Sequence, residues 1–459
     1  MVDVCSDAGE RVSRAKERPK MDSFKIRGGN RLKGIVEISG SKNSALPILA
    51  ACLMAEGKTT LKGVPRLSDI DSMLQLLGQM GCEVKRQEVK AVAGAMVPLN
   101  GPVEIQVVSE QLCWAPYDVV KTMRASICVL GPLLAKRGRA RVSIPGGCAI
   151  GDRPIDLHLR GLEKLGAEFH NENGDVVGEV RSRLKGCRMY LGGPQGPTVL
   201  GTINVMCAAA LAEGQTVLVG AACEPEVVDC ADMLNKMGAH IEGHGTPEIR
   251  IEGVEKLVAC EHQIIPDRIE AGTFMIAAAI TNGELELRNC DLTHLIAVVD
   301  RLHEVGVRVE QQGTSVRVSS TRQLSPVQMT TQPYPGFPTD LQAQLMALLC
   351  LADGNSVITE RIFPDRFLHV GEFNRMGGQI RKEGASAIIQ GVKDLQGARV
   401  MASDLRASAG LVLAALVAKG TTQIDRIYHI DRGYEKIEAK LAAVGASIER
   451  ISDKTEKPA

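Results

Sequence analysis

Aromatic side chains are scarce in this chain of 459 residues, where they make up 3%. Proteins that bind single-stranded nucleic acid stack bases on aromatic rings, so this scarcity argues against a base-stacking surface. Positive charge is not in excess either, because 54 Lys and Arg balance 54 Asp and Glu. Such a balance argues against broad binding to nucleic acid or to a membrane surface, although it leaves local basic clefts open. We therefore expect no nucleic acid partner and no membrane insertion.

Several motifs are also missing. The 13 cysteines form no Cys-x-x-Cys pair, and no spacing of His, Cys, Asp and Glu is typical of a metal site. No Gly-x-Gly-x-x-Gly precedes a helical pattern, which argues against a dinucleotide cofactor. We therefore predict that the protein uses neither a metal nor a cofactor. Scattered cysteines fit the reduced thiols of the cytoplasm better than disulfides.

Long apolar runs are absent too, since none approaches the roughly 20 residues that span a bilayer. Met1–Lys20 is polar and mixed in charge and lacks the apolar core of a signal peptide, so we predict a disordered tail over residues 1–20. Lys454–Ala459 should be a second frayed end. With 44% hydrophobic residues and 47 glycines, a chain of this length is expected to form a soluble α/β protein of two domains.

An internal repeat of roughly 70 residues runs through the chain. Each copy has a helix end, a glycine and an emerging strand, and the shared glycines are Gly81, Gly166, Gly238, Gly306, Gly377 and Gly445. A second series has helices of small residues that end in a glycine suited to a left-handed C-cap, at Gly57, Gly138, Gly214, Gly283, Gly354 and Gly420. The pattern predicts six copies of a helix–strand–helix–strand unit with further short strands.

The first helix of each unit is apolar nearly all round, as Ile203–Ala212 and Gly410–Val417 illustrate. A helix without a polar face should be buried on all sides, so we expect helices inside and sheets outside. This is the reverse of a doubly wound sheet. Six units divide most naturally into two domains of three, with the boundary near Ile265 and Pro266.

Polar residues mark the starts of these buried helices. Helix N-termini carry unpaired N–H groups and a positive dipole end, which favour anions such as phosphate or carboxylate. Ordinary capping explains residue types such as Ser41, Thr202, Asp340 and Asp404. Capping does not explain the cations at or near the same starts, because they oppose the dipole, and these are Lys42, Arg124 and Arg406. The sequence thus predicts an anion site where the helix starts converge.

The segment Pro145–His158 is a second candidate site. Its glycines and prolines make a loop that can approach a ligand closely, and Cys148 lies five residues before Arg153. A thiol near fixed positive charge ionises more easily and becomes a usable acid or nucleophile. The alternatives are a cysteine that simply packs and a thiol redox sensor.

Weaker signals lie elsewhere. Leu191–Thr198 is rich in glycine but lacks the Gly-Lys-Ser/Thr of a P-loop, so it is either a nucleotide contact or a bend. Isolated histidines are more often structural groups than ligands, and we interpret His158, His369 and His429 in this way.

The chain from Met21 to about Ser452 resembles the UDP-N-acetylglucosamine 1-carboxyvinyltransferases, a family of enolpyruvyl transferases. The motifs that carry the resemblance are Ser-Gly-Ser-Lys-Asn at 39–43, Lys-Thr-Met-Arg-Ala-Ser at 121–126, Pro-Gly-Gly-Cys-Ala-Ile-Gly at 145–151, Arg-Pro-Ile-Asp-Leu-His at 153–158, Pro-Asp-Arg-Ile-Glu at 266–270, Phe-Pro-Thr-Asp-Leu-Gln-Ala-Gln at 337–344, Asp-Leu-Arg-Ala-Ser at 404–408 and His-Ile-Asp-Arg-Gly-Tyr at 429–434.

The family fold implied is an inside-out α/β barrel with six repeats in two three-unit domains. Applied to this chain, it implies one discontinuous domain of residues 21–41 plus 266–459. The second domain then covers residues 42–265 and carries a mobile loop at 145–158.

The resemblance also implies the reaction. Phosphoenolpyruvate would donate its enolpyruvyl group to the 3-hydroxyl of UDP-N-acetylglucosamine and release phosphate, the first committed step of peptidoglycan synthesis. Implied catalytic residues are Cys148 as proton donor, Asp340 as base or orienting carboxylate, Lys42 and Arg432. Implied phosphoenolpyruvate contacts are Lys42, Arg124, Arg153 and Arg432. Alkylation of the thiol by fosfomycin, and roles in the cell wall, cell shape and cell division, are further implications.

For the nucleotide sugar, the implied contacts are Asn43, Arg124, Arg153, Pro154, Ile155, Asp156, Leu157, Thr198, Asp340, Ile362, Asp404 and Arg406, with Asp69 in support. The chain departs from the family pattern at Thr198–Thr202, and Gly196 stands where some members carry a lysine. Only Thr198 is therefore retained from that loop.

Two other functions remain as alternatives. A 5-enolpyruvylshikimate-3-phosphate synthase would share the fold and the donor, but that family lacks the cysteine-bearing loop. A non-catalytic repeat protein that binds a nucleotide sugar would have no reason to keep Cys148, Lys42, Asp340 and Arg432 together. The oligomeric state is left open.

Overall fold

The computed structural model describes residues 22–88, 100–121, 123–144, 154–321 and 323–452. Its α-helices are α1 (Lys42–Ala51), α2 (Ser68–Gln79), α3 (Tyr117–Val120), α4 (Leu130–Arg137), α5 (Asp156–Lys164), α6 (Val199–Ala210), α7 (Pro225–Lys236), α8 (Arg268–Ile280), α9 (Ile296–Val305), α10 (Gln342–Leu349), α11 (Val370–Arg375), α12 (Leu405–Ala415), α13 (Tyr428–Asp431) and α14 (Ile437–Ala443). Short 3-10 helices cover Cys52–Met54, Arg124–Val129, Leu292–Leu295 and Thr339–Leu341. The predicted tail, Cys148 and Arg153 lie outside the described residues.

The strands are β1 (Ser23–Arg27), β2 (Lys33–Glu37), β3 (Ala55–Glu56), β4 (Lys58–Lys62), β5 (Cys82–Arg86), β6 (Val103–Val107), β7 (Trp114–Ala115), β8 (Arg139–Ser143), β9 (Glu168–Glu172), β10 (Asp175–Glu179), β11 (Arg188–Tyr190), β12 (Gly192–Gly193), β13 (Gly196–Pro197), β14 (Gln215–Val219), β15 (His240–Glu242), β16 (Glu248–Glu252), β17 (Leu257–Val258), β18 (Glu261–Gln263), β19 (Glu284–Arg288), β20 (Arg308–Gln312), β21 (Ser315–Ser319), β22 (Gln328–Thr330), β23 (Asn355–Thr359), β24 (Gln379–Glu383), β25 (Ser386–Gln390), β26 (Arg399–Met401), β27 (Thr421–Asp425) and β28 (Ser447–Ile451).

Four-stranded sheets of one kind recur six times in the described residues. Their orders are β18-β4-β6-β5, β7-β8-β10-β9, β11-β14-β16-β15, β2-β19-β21-β20, β22-β23-β25-β24 and β26-β27-β1-β28. In each sheet the first pair is parallel and the other two pairs are antiparallel. The N-terminal strands β1 and β2 enter sheets built mainly from the C-terminal half of the chain. None of the described sheets closes on itself.

The apolar helices are buried, as their composition predicts. In α8 every residue from Ile269 to Ile280 is buried, and in α6 every residue from Gly201 to Ala210. Other helices keep an exposed face. One example is α2, which follows β4 and buries Ile70, Met73 and Leu77. The sheets cover this interior with the alternating buried side chains expected of strands with one solvated face.

The hydrophobic core of the described residues falls into two clusters. One runs from Ala45 to Ile264, and the other combines residues 24–38 with residues 269–444. The chain crosses between the clusters twice, and the two crossings pair with each other. Ser41 N donates to Ile265 O over 2.7 Å, and Asp267 N donates to Ser39 O over 2.8 Å.

The glycines of both series have positive φ, with one exception. All six glycines of the first series have positive φ, between 83° at Gly81 and 104° at Gly166 and Gly445. In the second series the left-handed residue before β19 is Asn282, at φ 53°, rather than Gly283. The prediction for Gly283 was wrong because Asn also tolerates this conformation. No helix among the described residues is long and apolar enough to cross a bilayer.

Gly391, the residue after β25, provides a test of close packing against the segment that follows α10. A Cβ at this position would lie 1.6 Å from the carbonyl oxygen of Ala352. Gly391→Ala should therefore lower the free energy of unfolding by about 1–3 kcal/mol, since backbone must shift to relieve the contact. Gly78 in α2 has open space around it, so Gly78→Ala should instead raise stability by up to about 1 kcal/mol. Urea denaturation of both variants measures the difference, and equal effects would contradict this account.

Candidate functional site

Lys42 is the first residue of α1 and lies at the point where the chain crosses between the clusters. Ser41 caps the helix by accepting a bond from Ser44 N over 3.3 Å. The backbone N–H of Lys42 donates to Asp267 Oδ2 over 3.2 Å, so a carboxylate from the second crossing holds the helix start. The Lys42 residue is only 9% exposed. Its ammonium therefore has little freedom.

Asp69 joins two of the predicted cations. Its Oδ2 lies 3.4 Å from Lys42 Nζ, and its Oδ1 lies 2.9 Å from Arg432 Nε. Arg432 and Asp69 are 363 residues apart in sequence. This carboxylate sets two positive groups side by side.

Asp340 lies between two guanidinium groups. Its Oδ1 is 2.9 Å from Arg366 Nη1, and its Oδ2 is 3.3 Å from Arg406 Nε. Arg366 also reaches Asp404 Oδ1 at 3.6 Å. Asp340 does not cap its helix turn, whereas Asp404 caps α12 by accepting bonds from Arg406 N and Ala407 N. Capping thus explains Asp404 but not Asp340.

The charges around Asp340 control its ionisation. Burial by itself would raise the pKa of this carboxyl, but Arg366, Arg406 and Lys42 together hold the pKa well below its usual range. Burial lowers the pKa of Lys42, with further lowering by Arg406 and Arg432 opposed by Asp69 and Asp340. Asp340 is therefore an ionised carboxylate at neutral pH.

The guanidinium of Arg406 is buried and lies against an aromatic ring. The residue is 2% exposed, and its guanidinium carbon lies 5.0 Å from the ring centre of Tyr434. Tyr434 interacts with the guanidinium through its ring and its hydroxyl, and Nη1 and Nη2 have no other hydrogen-bond partner among the described residues. Buried donors without partners are costly, so the arrangement suits an oxyanion that would bind both nitrogens.

Six residues predicted from the sequence belong to two groups of ion pairs, and the charge interactions of Lys42 with Asp340 and Arg406 connect these groups. The six residues are Lys42, Asp69, Asp340, Asp404, Arg406 and Arg432. Helix starts at α1 and α12 and the 3-10 turn before α10 supply most of them, as the pattern of polar helix starts predicts.

Three other predicted residues, Thr198, Leu157 and Ile362, contact other parts of the described chain. Thr198 caps α6, which begins at Val199, so the predicted helix start at Thr202 was one turn late. Leu157 lies against the β12–β13 hairpin, where a Cβ on Gly193 would be 3.0 Å from Leu157 Cδ1. The N–H of Ile362 donates to Glu360 Oε1 over 2.8 Å.

The remaining predicted positions are located as follows. Asn43 is half-buried in the first turn of α1, and Arg124 is half-buried at the start of a 3-10 helix. Pro154 and Ile155 precede α5, and Asp156 is its first residue. Cys148 and Arg153 lie outside the described residues, so their roles stay predictions.

Sequence reasoning missed Arg366, which bridges Asp340 and Asp404. It lies in the segment after β23 rather than at a helix start, so the pattern of polar helix starts could not detect it. A lone arginine in a loop has no distinguishing signal, and its 6% exposure comes from tertiary packing. Nearby His369 is buried with neither ring nitrogen bonded among the described residues, and burial lowers its pKa to about 4. His158 is also interpreted as a structural group, and its Nδ1 lies 3.0 Å from Asn204 Nδ2.

Comparison with known proteins identifies the family. The family model EPSP synthase (3-phosphoshikimate 1-carboxyvinyltransferase) matches residues 26–441. The chain belongs to this enolpyruvyl transferase family. A curated relative from Nitratidesulfovibrio vulgaris (strain DP4), named UDP-N-acetylglucosamine 1-carboxyvinyltransferase, is 54% identical over 436 residues, which is 94% of this chain and 100% of the relative. A relative of the same name from Anaeromyxobacter sp. (strain K) is 52% identical over 432 residues, again 94% of this chain and 100% of the relative.

Solved structures of enolpyruvyl transferases share the fold. The enolpyruvyl transferase NikO from Streptomyces tendae superposes with a TM-score of 0.83 at 24% identity, covering 95% of this chain and 100% of that one. EPSP synthase from Acinetobacter baumannii gives 0.70 at 22% identity, covering 94% and 100%. The enolpyruvyl transferases therefore share the mixed α/β architecture described above.

The charge on Asp340 predicts a pH-dependent contribution to stability. Because its folded pKa is depressed, the contribution is full above the usual Asp pKa of about 3.9 and is lost as pH falls further. Asp340→Asn should therefore be less stable than the parent protein near pH 6, and the difference should shrink below about pH 4. Guanidinium denaturation from pH 3 to pH 7 measures this, with Asp353→Asn, an exposed carboxylate, as control. A difference that is constant with pH would show that the two arginines do not act on Asp340.

Proposed function

We propose that the protein transfers the enolpyruvyl group of phosphoenolpyruvate to the 3-hydroxyl of UDP-N-acetylglucosamine, with release of phosphate. One observation carries the proposal: a half-buried carboxylate, Asp340, lies among Arg366, Arg406 and Lys42. The names of relatives 51–54% identical over 94% of the chain point to the same donor group and acceptor.

The reaction is an addition followed by an elimination. The sugar oxygen bonds to C2 of phosphoenolpyruvate and gives up its hydroxyl proton to a base or to solvent, while a proton adds to the methylene carbon C3. The tetrahedral intermediate then loses that methyl group's proton and the C2 phosphate, which restores the double bond and leaves an enol ether. The addition needs a proton donor at C3 and a group on the acceptor hydroxyl, and the elimination needs a base that removes the C3 proton. Both steps need cations for the phosphate and carboxylate.

Asp340 is proposed to act on the acceptor hydroxyl. A carboxylate whose pKa lies far below its usual range is a weak base, so its main contribution is to orient the hydroxyl by accepting its hydrogen bond. The substrate would share the carboxylate with Arg366 and Arg406. Asp404 supports this role because it binds the far side of Arg366.

Lys42, Arg124, Arg153 and Arg432 are proposed to hold phosphoenolpyruvate. Support comes from the shared contact of Lys42 and Arg432 with Asp69, and from the unpaired buried nitrogens of Arg406 nearby. Ammonium and guanidinium groups on a developing phosphate anion stabilise the transition state more than the ground state. Cys148 is proposed as the proton donor and as the thiol that fosfomycin alkylates.

The remaining proposals concern architecture and setting. The six sheets of one order support six copies of one unit, with helices inside an inside-out barrel. The two core clusters support one domain of residues 21–41 plus 266–459 and another of residues 42–265. Nucleotide-sugar contacts are proposed at Asn43, 154–157, Thr198 and Ile362. A cytoplasmic role in peptidoglycan synthesis, and hence in cell shape and division, follows from the proposed reaction.

Phosphate release tests the function directly. With phosphoenolpyruvate, we expect release when UDP-N-acetylglucosamine is added and none with shikimate 3-phosphate. Pretreatment with fosfomycin should abolish the signal, and Cys148→Asp should resist it, since an epoxide needs a thiolate to alkylate. Release with shikimate 3-phosphate instead would favour the EPSP synthase function, and no release with either acceptor would favour a binding protein.

Substitution of Arg432 should affect the two substrates unequally. Arg432→Ala should raise KM for phosphoenolpyruvate about tenfold or more, because a charge-assisted contact is lost, while binding of UDP-N-acetylglucosamine changes little. Initial rates and calorimetry measure the two effects. Arg317→Ala, on the exposed surface of β21, is the matched control. Equal weakening of both substrates would show that Arg432 does not belong to the donor site.

A further inference from the structure

A further carboxylate, fully buried, lies behind Lys42. Asp229, in the middle of α7, is 3% exposed and accepts three hydrogen bonds. The hydroxyl of Ser44 donates to Oδ2, Ile265 N donates to Oδ2 over 3.3 Å, and His262 Nε2 lies 2.8 Å from Oδ1. Three donors can stabilise a buried negative charge.

The contacts of His262 fix its tautomer. Lys236 Nζ lies 3.2 Å from His262 Nδ1, and an ammonium can only donate, so Nδ1 accepts. The ring proton of a neutral His262 is then on Nε2 and is donated to Asp229. The imidazole therefore accepts from Lys236 on one side and donates to Asp229 on the other, which fixes the orientation of the ring.

The donors to Asp229 are on the two segments that place Lys42. Ser44 follows Lys42 by two residues in the first turn of α1. Ile265 precedes Asp267 by two residues, and Asp267 accepts the bond from Lys42 N. Ile265 O also accepts from Ser41 N, the residue before Lys42. One carboxylate therefore binds both the start of α1 and the crossing segment at Ile265, which pairs with that start.

We propose that Asp229 is a positioning residue that fixes Lys42 for the donor anion, acting through Ser44 and Ile265. The proposal rests on the role of Lys42 in the proposed function. Asp229 does not itself reach the ammonium, whose direct partner is Asp69. Loss of its contacts lets the start of α1 shift, and a small displacement of a charged group from its optimal place costs much of its effect.

A double-mutant cycle tests this coupling. Ser44→Ala removes one donor to Asp229 and should lower kcat/KM for phosphoenolpyruvate about tenfold, as expected for one hydrogen bond to a charged group. Lys42→Arg keeps the charge but displaces it. In that background Ser44→Ala should cost less than about twofold, because the placement is already lost. Asp229→Asn in both backgrounds repeats the cycle from the other partner.

Ser356→Ala is the matched control. Ser356 is fully buried, its Oγ accepts from Val327 N over 3.2 Å, and it lies on β23, away from the ion pairs around Asp340 and Lys42. It should lower thermal stability about as much as Ser44→Ala while leaving kcat/KM unchanged. An equal loss of kcat/KM in the control would show that Ser44 acts only through stability. Equal losses from Ser44→Ala in both Lys42 backgrounds would overturn the proposal.

A readout without turnover separates this inference from the proposed function. After reductive 13C-methylation, the resonance of Lys42 is identified by its absence in Lys42→Arg. It should shift in Ser44→Ala and stay in place in Ser356→Ala. An unshifted resonance would overturn the positioning role even if the protein transfers enolpyruvyl groups. Wild-type protein that releases no phosphate would instead contradict the proposed function, whatever the resonance does.

Discussion

The carboxylate of Asp340, set between Arg366 and Arg406, is the interaction on which the described site depends. Three cations, the two arginines and Lys42, are brought into a buried region where their repulsion is poorly screened. Without an opposing carboxylate, each would have to shift its pKa or move toward water. Asp69 and Asp404 complete the balance. The fold can therefore hold dense positive charge only because acidic groups are interleaved with it.

That same balance prepares the site for an anionic substrate. Asp340 binds Nε of Arg406, while the terminal nitrogens of Arg406 have no carboxylate partner among the described residues. Cations at helix starts are unfavourable next to the dipole, yet the positive end of the dipole adds to their attraction for an oxyanion. The cations are locally destabilising, but their positions are already ordered before the substrate binds.

The two crossings of the chain connect this chemistry to the architecture. Ser39–Ser41 and Ile265–Asp267 pair with each other, and each is held by a buried carboxylate network. Glu270 accepts from Ser39 N over 2.6 Å and pairs with Lys440 at 2.7 Å, while Asp229 holds Ile265. Since Lys42 and Asp267 adjoin the crossings, the geometry of the site depends on how the two core clusters are joined.

Sequence periodicity alone determined much of this protein. Glycine spacing predicted a repeat, since φ above zero is open to few other residues, and unbroken apolar runs predicted buried helices such as α6 and α8. The polar starts of those helices gave Lys42, Asp340 and Arg406. Tertiary structure decided what local patterns do not encode. Arg366 and Asp229 carry no signal of their own, because their roles come from partners in distant segments, and only packing decides which buried charges meet.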